Sequence, residues 1–361
     1  EEGLGEIDVR LDVSGPAEII GPDTLVVDPG SRDRTDVFFE LAAAGTVGTV
    51  EITVSASSRL QGYTNRSTAL IPVRPDNPYI YLVDEQMVDP GETVVFAIPE
   101  RGVPGTDATR LVVSSVRGLN LNHRLKWLIR YPYGCIEQIT SGVFPQLYLA
   151  DLYPVSKEEL MEIDGNINGV IAAYSRYQLV NGAFAYWPDS SAADHWATNY
   201  AGHFLLEAKA KGYHVPAQML ERWIRYQAEA AKANAGTQLT RAYRLYLLAL
   251  ADAPVLSAMN YMRESELDKL DNTARFYLGG AYYLMGYKQI GESILAGADI
   301  SAPEYVEFGG TYGSTLRDQA IMLDILTLVR DFERGSALYN QIAEAVSSPR
   351  WYSTQTTGYA L

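Results

Sequence analysis

The chain has 361 residues, 47% hydrophobic and 20% charged, with a formal net charge of −15 and a pI near 4.8. That length predicts two or three domains, and the acidity argues against a nucleic-acid partner, because phosphate binding needs a basic face. No run of about 18 apolar residues occurs, so no membrane span is expected, and a targeting segment is expected to lie outside the chain.

The first 115 or so residues read as strands. Ile7, Val9, Leu11 and Val13 alternate with Asp8, Arg10 and Asp12, which gives one wet face; Val50, Ile52, Val54 and Ala56 repeat the pattern. Shorter runs at 37–41, 80–83, 94–98 and 110–114 are set apart by Gly, Pro and Asp, and Asp-Pro-Gly occurs at 28–30 and 89–91. Many short strands with regular turns suggest β-sandwiches. The polar stretch at 59–77 is expected to separate two such units, 1–60 and 61–117.

From about residue 118 the period becomes helical. Leu121, Leu125, Leu128 and Ile129 share one face, as do Ile167, Val170, Ile171 and Tyr174. Thr198, Thr240, Thr273, Thr315 and Thr354 each open an apolar helical run, a spacing of roughly one helical hairpin per repeat. Hairpins of this kind must stack to bury their faces. The loops at 182–187 and 308–312 favour a closed α/α toroid over 118–361, although periodicity alone also permits an open solenoid. The chain begins without Met and stops at Gly358-Tyr359-Ala360-Leu361 inside a helical pattern, so it is expected to be a fragment of something longer.

The single cysteine carries the chemistry. One Cys cannot make an internal disulfide, and four scattered histidines complete no metal set with it; neither metal nor cofactor is expected. A lone Cys is usually a small buried hydrophobe, so its neighbours decide. Tyr131-Pro132-Tyr133-Gly134-Cys135-Ile136-Glu137-Gln138 places Pro132 and Gly134 as a break between helices, with Cys135 in the first turn of the new one. Residues three apart on a helix are neighbours, so the Cys135 sulfur can meet the Gln138 carbonyl. The helix start is expected to favour thiolate. If the sulfur displaces ammonia from Gln138, the product is an internal thioester, an electrophile that amines or hydroxyls can open and that must be kept from water. Tyr131 and Tyr133 are candidates for that cover.

Gly134–Gln138, preceded by Pro132 and Tyr133, resembles the Gly-Cys-x-Glu-Gln thioester signature of the alpha-2-macroglobulin family, and the flanking residues at 128–133 and 351–356 look like its bacterial branch. The resemblance implies a multidomain protein: all-β sandwiches of macroglobulin and CUB type, then an α/α toroid thioester domain. It also implies a broad-spectrum endopeptidase inhibitor. In the family a protease cuts a bait segment and the exposed thioester captures the protease covalently. Implied with it are Cys135 and Gln138 as the crosslinking pair, Tyr131 as a shield, a periplasmic or cell-envelope location, and possible lipid anchoring of the full-length protein. Some members use a histidine about a hundred residues downstream; here 249–260 has none, with Met259 and Asn260 in the region, so amines should be preferred over hydroxyls.

Other readings are set beside this one. Glu137 is read as structural or solvated, and His195 and His203 as packed or surface histidines, since a spacing of eight does not make a shared metal site. The aromatics at 186, 187, 196 and 200 are read as toroid core, and Asn65-Arg66-Ser67 as an unused sequon. A toroid enzyme would need paired carboxylates or a metal set, which are not visible. A non-covalent trap or envelope scaffold in which the thioester never forms stays open.

Overall fold

The computed structural model describes residues 5–29, 34–60, 62–76, 134–152, 155–348 and 350–361, together with most of 80–113. The chain divides into two compact units, 1–113 and 114–361.

The first unit is built on strands β1 (Ile7–Ser14), β2 (Ala17–Ile20), β3 (Thr24–Val27), β4 (Glu40–Ala43), β5 (Gly48–Ser58) and β6 (Thr64–Val73). They form an antiparallel sheet in the order β3-β1-β5-β6 and a second pair, β2-β4. The two alternating segments of the sequence pair with each other, Leu11 opposite Val54 and Val13 opposite Ile52. Opposite residues share a face, and on it Val9, Leu11 and Val50 are buried.

Three expectations for this unit need correction. The polar stretch at 59–77 is not a break: most of it is β6, which pairs with β5 from Ser57–Thr64 to Gly48–Val73, so the sheet runs past residue 60. The run at 37–41 becomes a strand only from Glu40, with Phe38 exposed. Among the described residues of 80–113 no strand forms. Val95, Ile98, Leu111 and Val113 are largely exposed, and an apolar run without a ladder partner or a covering layer gains nothing by extending. Leu121, Leu125, Leu128 and Ile129 lie outside the described residues.

The second unit is helical: α1 (Ile136–Val143), α2 (Leu149–Leu152), α3 (Lys157–Ala173), α4 (His195–Ala210), α5 (Ala217–Lys232), α6 (Gln238–Leu250), α7 (Leu256–Glu266), α8 (Asn272–Leu284), α9 (Lys288–Ala296), α10 (Thr315–Val329), α11 (Phe332–Ser347) and α12 (Thr354–Ala360). Side-chain caps start many of them. Ser156 and Glu159 form a reciprocal capping box on α3, Asp194 and Asp271 accept from N3 amides at 2.7 Å, and Ser353 accepts from Thr356. Each cap is worth about 1 kcal/mol. The repeated threonines sit in the first turns of α4, α6, α8, α10 and α12.

Those five helices and α1 contact one another in a circuit, α1-α4-α6-α8-α10-α12, with α12 returning to α1. The α3, α5, α9 and α11 helices each pack against one or two members of it, and α7 against α5 and α8. An open solenoid would leave its first and last helices apart; here they touch. Ile167, Val170, Ile171 and Tyr174 are all buried, as their period predicts. Inside, Tyr243 stacks on Tyr277 with centroids 4.5 Å apart, the kind of aromatic pair that adds about 0.5–1.5 kcal/mol beyond its area. Gly202 lets α4 and α5 approach: a Cβ there would stand 2.0 Å from the buried Trp223 ring.

Candidate functional site

Cys135 lies one residue earlier than expected. It is the N-cap of α1, with extended backbone at φ −71° and ψ 166°, not a residue of the first turn. It is buried, at 2% exposure. Gln138, at N3, is exposed, and its side chain turns back to accept the Cys135 N–H at 3.3 Å through Oε1. This is half of a capping box, with the Cys135 side chain facing the N3 amide as the other half. Residues 135 and 138 are therefore brought together by cap geometry, the Gln138 carboxamide meeting the Cys135 backbone amide.

Gly134 makes the fold-back possible. Its φ is +128°, a conformation open to glycine, and a Cβ on it would stand 1.9 Å from Gln138 Oε1. Its carbonyl accepts from the Tyr177 hydroxyl at 2.8 Å, which anchors the turn to the residues after α3. Tyr131, Pro132 and Tyr133 lie outside the described residues.

The expected acidity of the thiol is overturned. Burial pushes the Cys135 thiol above its ordinary value, outweighing its hydrogen bonding with Tyr186 and with the Gln138 and Glu137 backbone; the Glu137 charge adds to the rise. A capping residue that is itself desolvated does not gain enough from the helix start to ionise easily.

Glu137 is structural, and deeply so. It is 4% exposed. Its Oε1 accepts from Ser141 at 2.8 Å and from Thr354 on α12 at 3.2 Å. Desolvation raises its carboxyl above the usual range, offset in part by those two hydroxyls. The acid of the signature thus ties the first helix of the circuit to the last.

Two tyrosines that sequence reasoning assigned elsewhere or passed over belong to the site. Tyr186 was read as core; it is only half-buried, and its hydroxyl hydrogen-bonds the Cys135 sulfur while its backbone carbonyl accepts Ile136 N–H at 3.0 Å. The single proton of that hydroxyl goes to the Tyr312 hydroxyl at 2.6 Å, with the two rings stacked at 6.1 Å. Tyr312 has a left-handed backbone, φ +52°, which is uncommon for a bulky residue and persists only where its surroundings hold it. The signal in the sequence was that both tyrosines sit in Gly-containing loops, 182–187 and 308–312, each leading into a helix of the circuit, α4 and α10. By contrast, Trp196 and Tyr200 are buried as expected, and Trp187 is exposed.

The remaining candidates have other tasks. His203 is buried, Nδ1 2.8 Å from the Tyr243 hydroxyl, and desolvation lowers its pKa to about 4. His195 Nδ1 lies 3.2 Å from the Tyr226 hydroxyl and 3.3 Å from Arg244 Nη2. Met259 is buried and Asn260 accepts from Tyr282. Among the described residues no group of three His, Cys, Asp or Glu could hold a metal ion, and no helix is long and apolar enough to cross a membrane.

Comparison with known proteins places this geometry. No protein-family model matches the chain. The alpha-2-macroglobulin of Escherichia coli K12 is 30% identical over 97% of this chain, which spans 23% of that relative. The native E. coli alpha-2-macroglobulin structure running from domain MG7 to the C-terminus matches with a TM-score of 0.60 and 27% identity, covering 99% of this chain and 60% of the other. The trypsin-activated E. coli protein matches at TM-score 0.55 and 26% identity, over 98% of this chain and 26% of that one. The chain spans about a quarter of the full-length curated relative, and with Gly134, Cys135, Glu137 and Gln138 arranged as above, it belongs to the alpha-2-macroglobulin family.

Proposed function

We propose that this chain is the thioester-bearing part of a protease trap, in which Cys135 Sγ and Gln138 Cδ form an internal thioester that captures a protease through its lysine amines. One observation carries the reading: the Gln138 carboxamide is folded back onto the buried Cys135, with Gly134 lacking the Cβ that would block it.

The relatives support the coarser part. A relative of this chain is an alpha-2-macroglobulin that trypsin activates, and such proteins inhibit proteases and do not turn substrate over. The helical circuit would be the α/α toroid thioester domain, and the sheets of β1–β6 would be a macroglobulin-type domain, with a CUB-type segment beginning only after Val73. A periplasmic or envelope location, with lipid anchoring of the full-length protein, goes with the same reading.

The chemistry balances. Sγ displaces ammonia from Gln138 when the ester forms. An amine lone pair later attacks Cδ, the C–S bond breaks with its electrons to sulfur, and the amine proton leaves to solvent, leaving an amide and a thiol. Among the described residues no histidine is a hydrogen-bond partner of Cys135, and amines, which need no base to attack, are the proposed targets.

The test is the mass of the peptide carrying Cys135 and Gln138 from full-length protein, before and after methylamine. The expected peptide is lighter by one ammonia and gains methylamine as a thiol appears. Intact glutamine beside a free thiol in fresh protein would leave a non-covalent trap or scaffold.

A further inference from the structure

Resting on the thioester reading above, we propose that the Tyr186 hydroxyl is the hydrogen-bond donor to the Cys135 sulfur as it departs, with Tyr312 holding that hydroxyl in place. Tyr186 touches a reacting atom, so its role would be catalytic, and Tyr312 would be a positioning residue.

Three observations converge on the pair. The Tyr186 backbone carbonyl accepts from the Ile136 amide at 3.0 Å, which places the residue beside the N-cap of α1. Its hydroxyl meets both the Cys135 sulfur and, at 2.6 Å, the Tyr312 hydroxyl. Tyr312 is held in a left-handed backbone that stacks its ring on Tyr186. A side chain needed only as apolar cover would not require a second hydroxyl behind it, nor a strained backbone to present that hydroxyl.

In the free thiol the Tyr186 O–H is turned towards Tyr312. A phenol hydroxyl rotates about its C–O bond and both donates and accepts. When an amine attacks Gln138 Cδ, the C–S bond breaks and its electron pair collects on Sγ, in a pocket that burial makes hostile to thiolate. Tyr186 can then swing its O–H to Sγ and accept from Tyr312. It keeps its proton, because burial holds the phenol well above its ordinary range. The attacking nitrogen loses its proton to solvent, and the thiolate takes one from solvent.

This role and a shielding role predict opposite signs. A shield that loses its hydroxyl admits amine as well or better, whereas a lost donor slows the bond from breaking. In full-length protein, peptide mass first shows whether wild type and Tyr186→Phe carry the thioester. Methylamine-driven thiol release is then followed across neutral and alkaline pH. Loss of one charge-directed hydrogen bond should slow Tyr186→Phe by about ten- to a hundredfold at every pH. Tyr312→Phe, which leaves the Tyr186 phenol in place, should slow release by less. Equal or faster release in Tyr186→Phe overturns the assignment, as does a variant that folds but never forms the ester. Should Tyr186→Phe fail to fold, Tyr312→Phe decides alone: slower release supports the pair, unchanged or faster release rejects it. Absence of the ester in wild type would instead reject the thioester reading itself.

Discussion

Thr354 Oγ1 donates to Glu137 Oε1 at 3.2 Å across 217 residues of sequence, so the acid of the Gly-Cys-x-Glu-Gln signature is the clasp of the helical circuit. Removing the carboxylate leaves the buried Ser141 hydroxyl only its longer contact to Tyr200, at 3.3 Å, and takes the acceptor from the half-buried Thr354. Glu137→Ala should cost about 1–3 kcal/mol for the unpaired groups, read as a lower thermal unfolding midpoint. A variant as stable as the parent would show the clasp to be idle.

Gly134→Ala is expected to remove the thioester while leaving most of the fold. The new Cβ would stand 1.9 Å from Gln138 Oε1 at a backbone φ of +128°. The amide must swing away, and the strained backbone adds a cost of order 1–3 kcal/mol. Methylamine should release no thiol from this variant, while its far-ultraviolet circular dichroism stays helical. Normal thiol release would mean that the fold-back of Gln138 is dispensable.

Once freed by an amine, Cys135 should be a sluggish thiol. Burial raises its pKa in the folded protein, so the thiolate fraction at neutral pH is below that of a free cysteine. Alkylation by iodoacetamide should run slower than that of a model thiol at neutral pH, approach it only in alkali, and speed up in denaturant. Alkylation faster than the model thiol when folded would contradict the burial.

His203 should make stability pH-dependent. Its folded pKa is about 4 against an ordinary 6.5, burial being the main cause, with Glu207 opposing it from 3.9 Å. Between those values the unfolded chain binds more protons, so stability rises with pH through the window and is lost as pH falls from 6.5 towards 4. The full effect is roughly 3 kcal/mol. The destabilisation caused by His203→Phe, measured by urea unfolding, should therefore shrink as the pH is lowered through that window. A penalty that does not change with pH would show that His203 is not held neutral by the fold.

How much of this was legible beforehand follows from what each element buries. Strand β1 and helix α3 could be read because each has one wet and one dry face, as Val9 and Leu11 against Asp8 and Arg10 show. Strand β6 could not: all but one of its residues are exposed, so it carries no alternation and is held by its backbone ladder to β5. The runs at 94–98 and 110–113 erred the other way, apolar in composition but without a partner among the described residues. At the site, the nearness of residues 135 and 138 was legible because the contact between an N-cap and the third residue of its helix is local, although the sequence placed Cys135 inside the first turn. The thiol's raised pKa was not, since it depends on neighbours that fold in from other loops. Tyr186 and Tyr312 were hidden for the same reason: nothing in a Gly-aromatic loop says which helix start it will cover.

The return of α12 onto α1 also sets a clock. A ribosome adding about 5–20 residues per second needs roughly 10–45 s to travel the 217 residues from Glu137 to Thr354. Through that interval the nascent signature has no clasp, and the Tyr312 loop behind its sulfur is not yet made until late. An ester assembled only after the last helix docks would be kept from the chain's own lysines and from chaperones during synthesis. The long sequence separation, costly for folding speed, would then serve as a safety catch on the warhead.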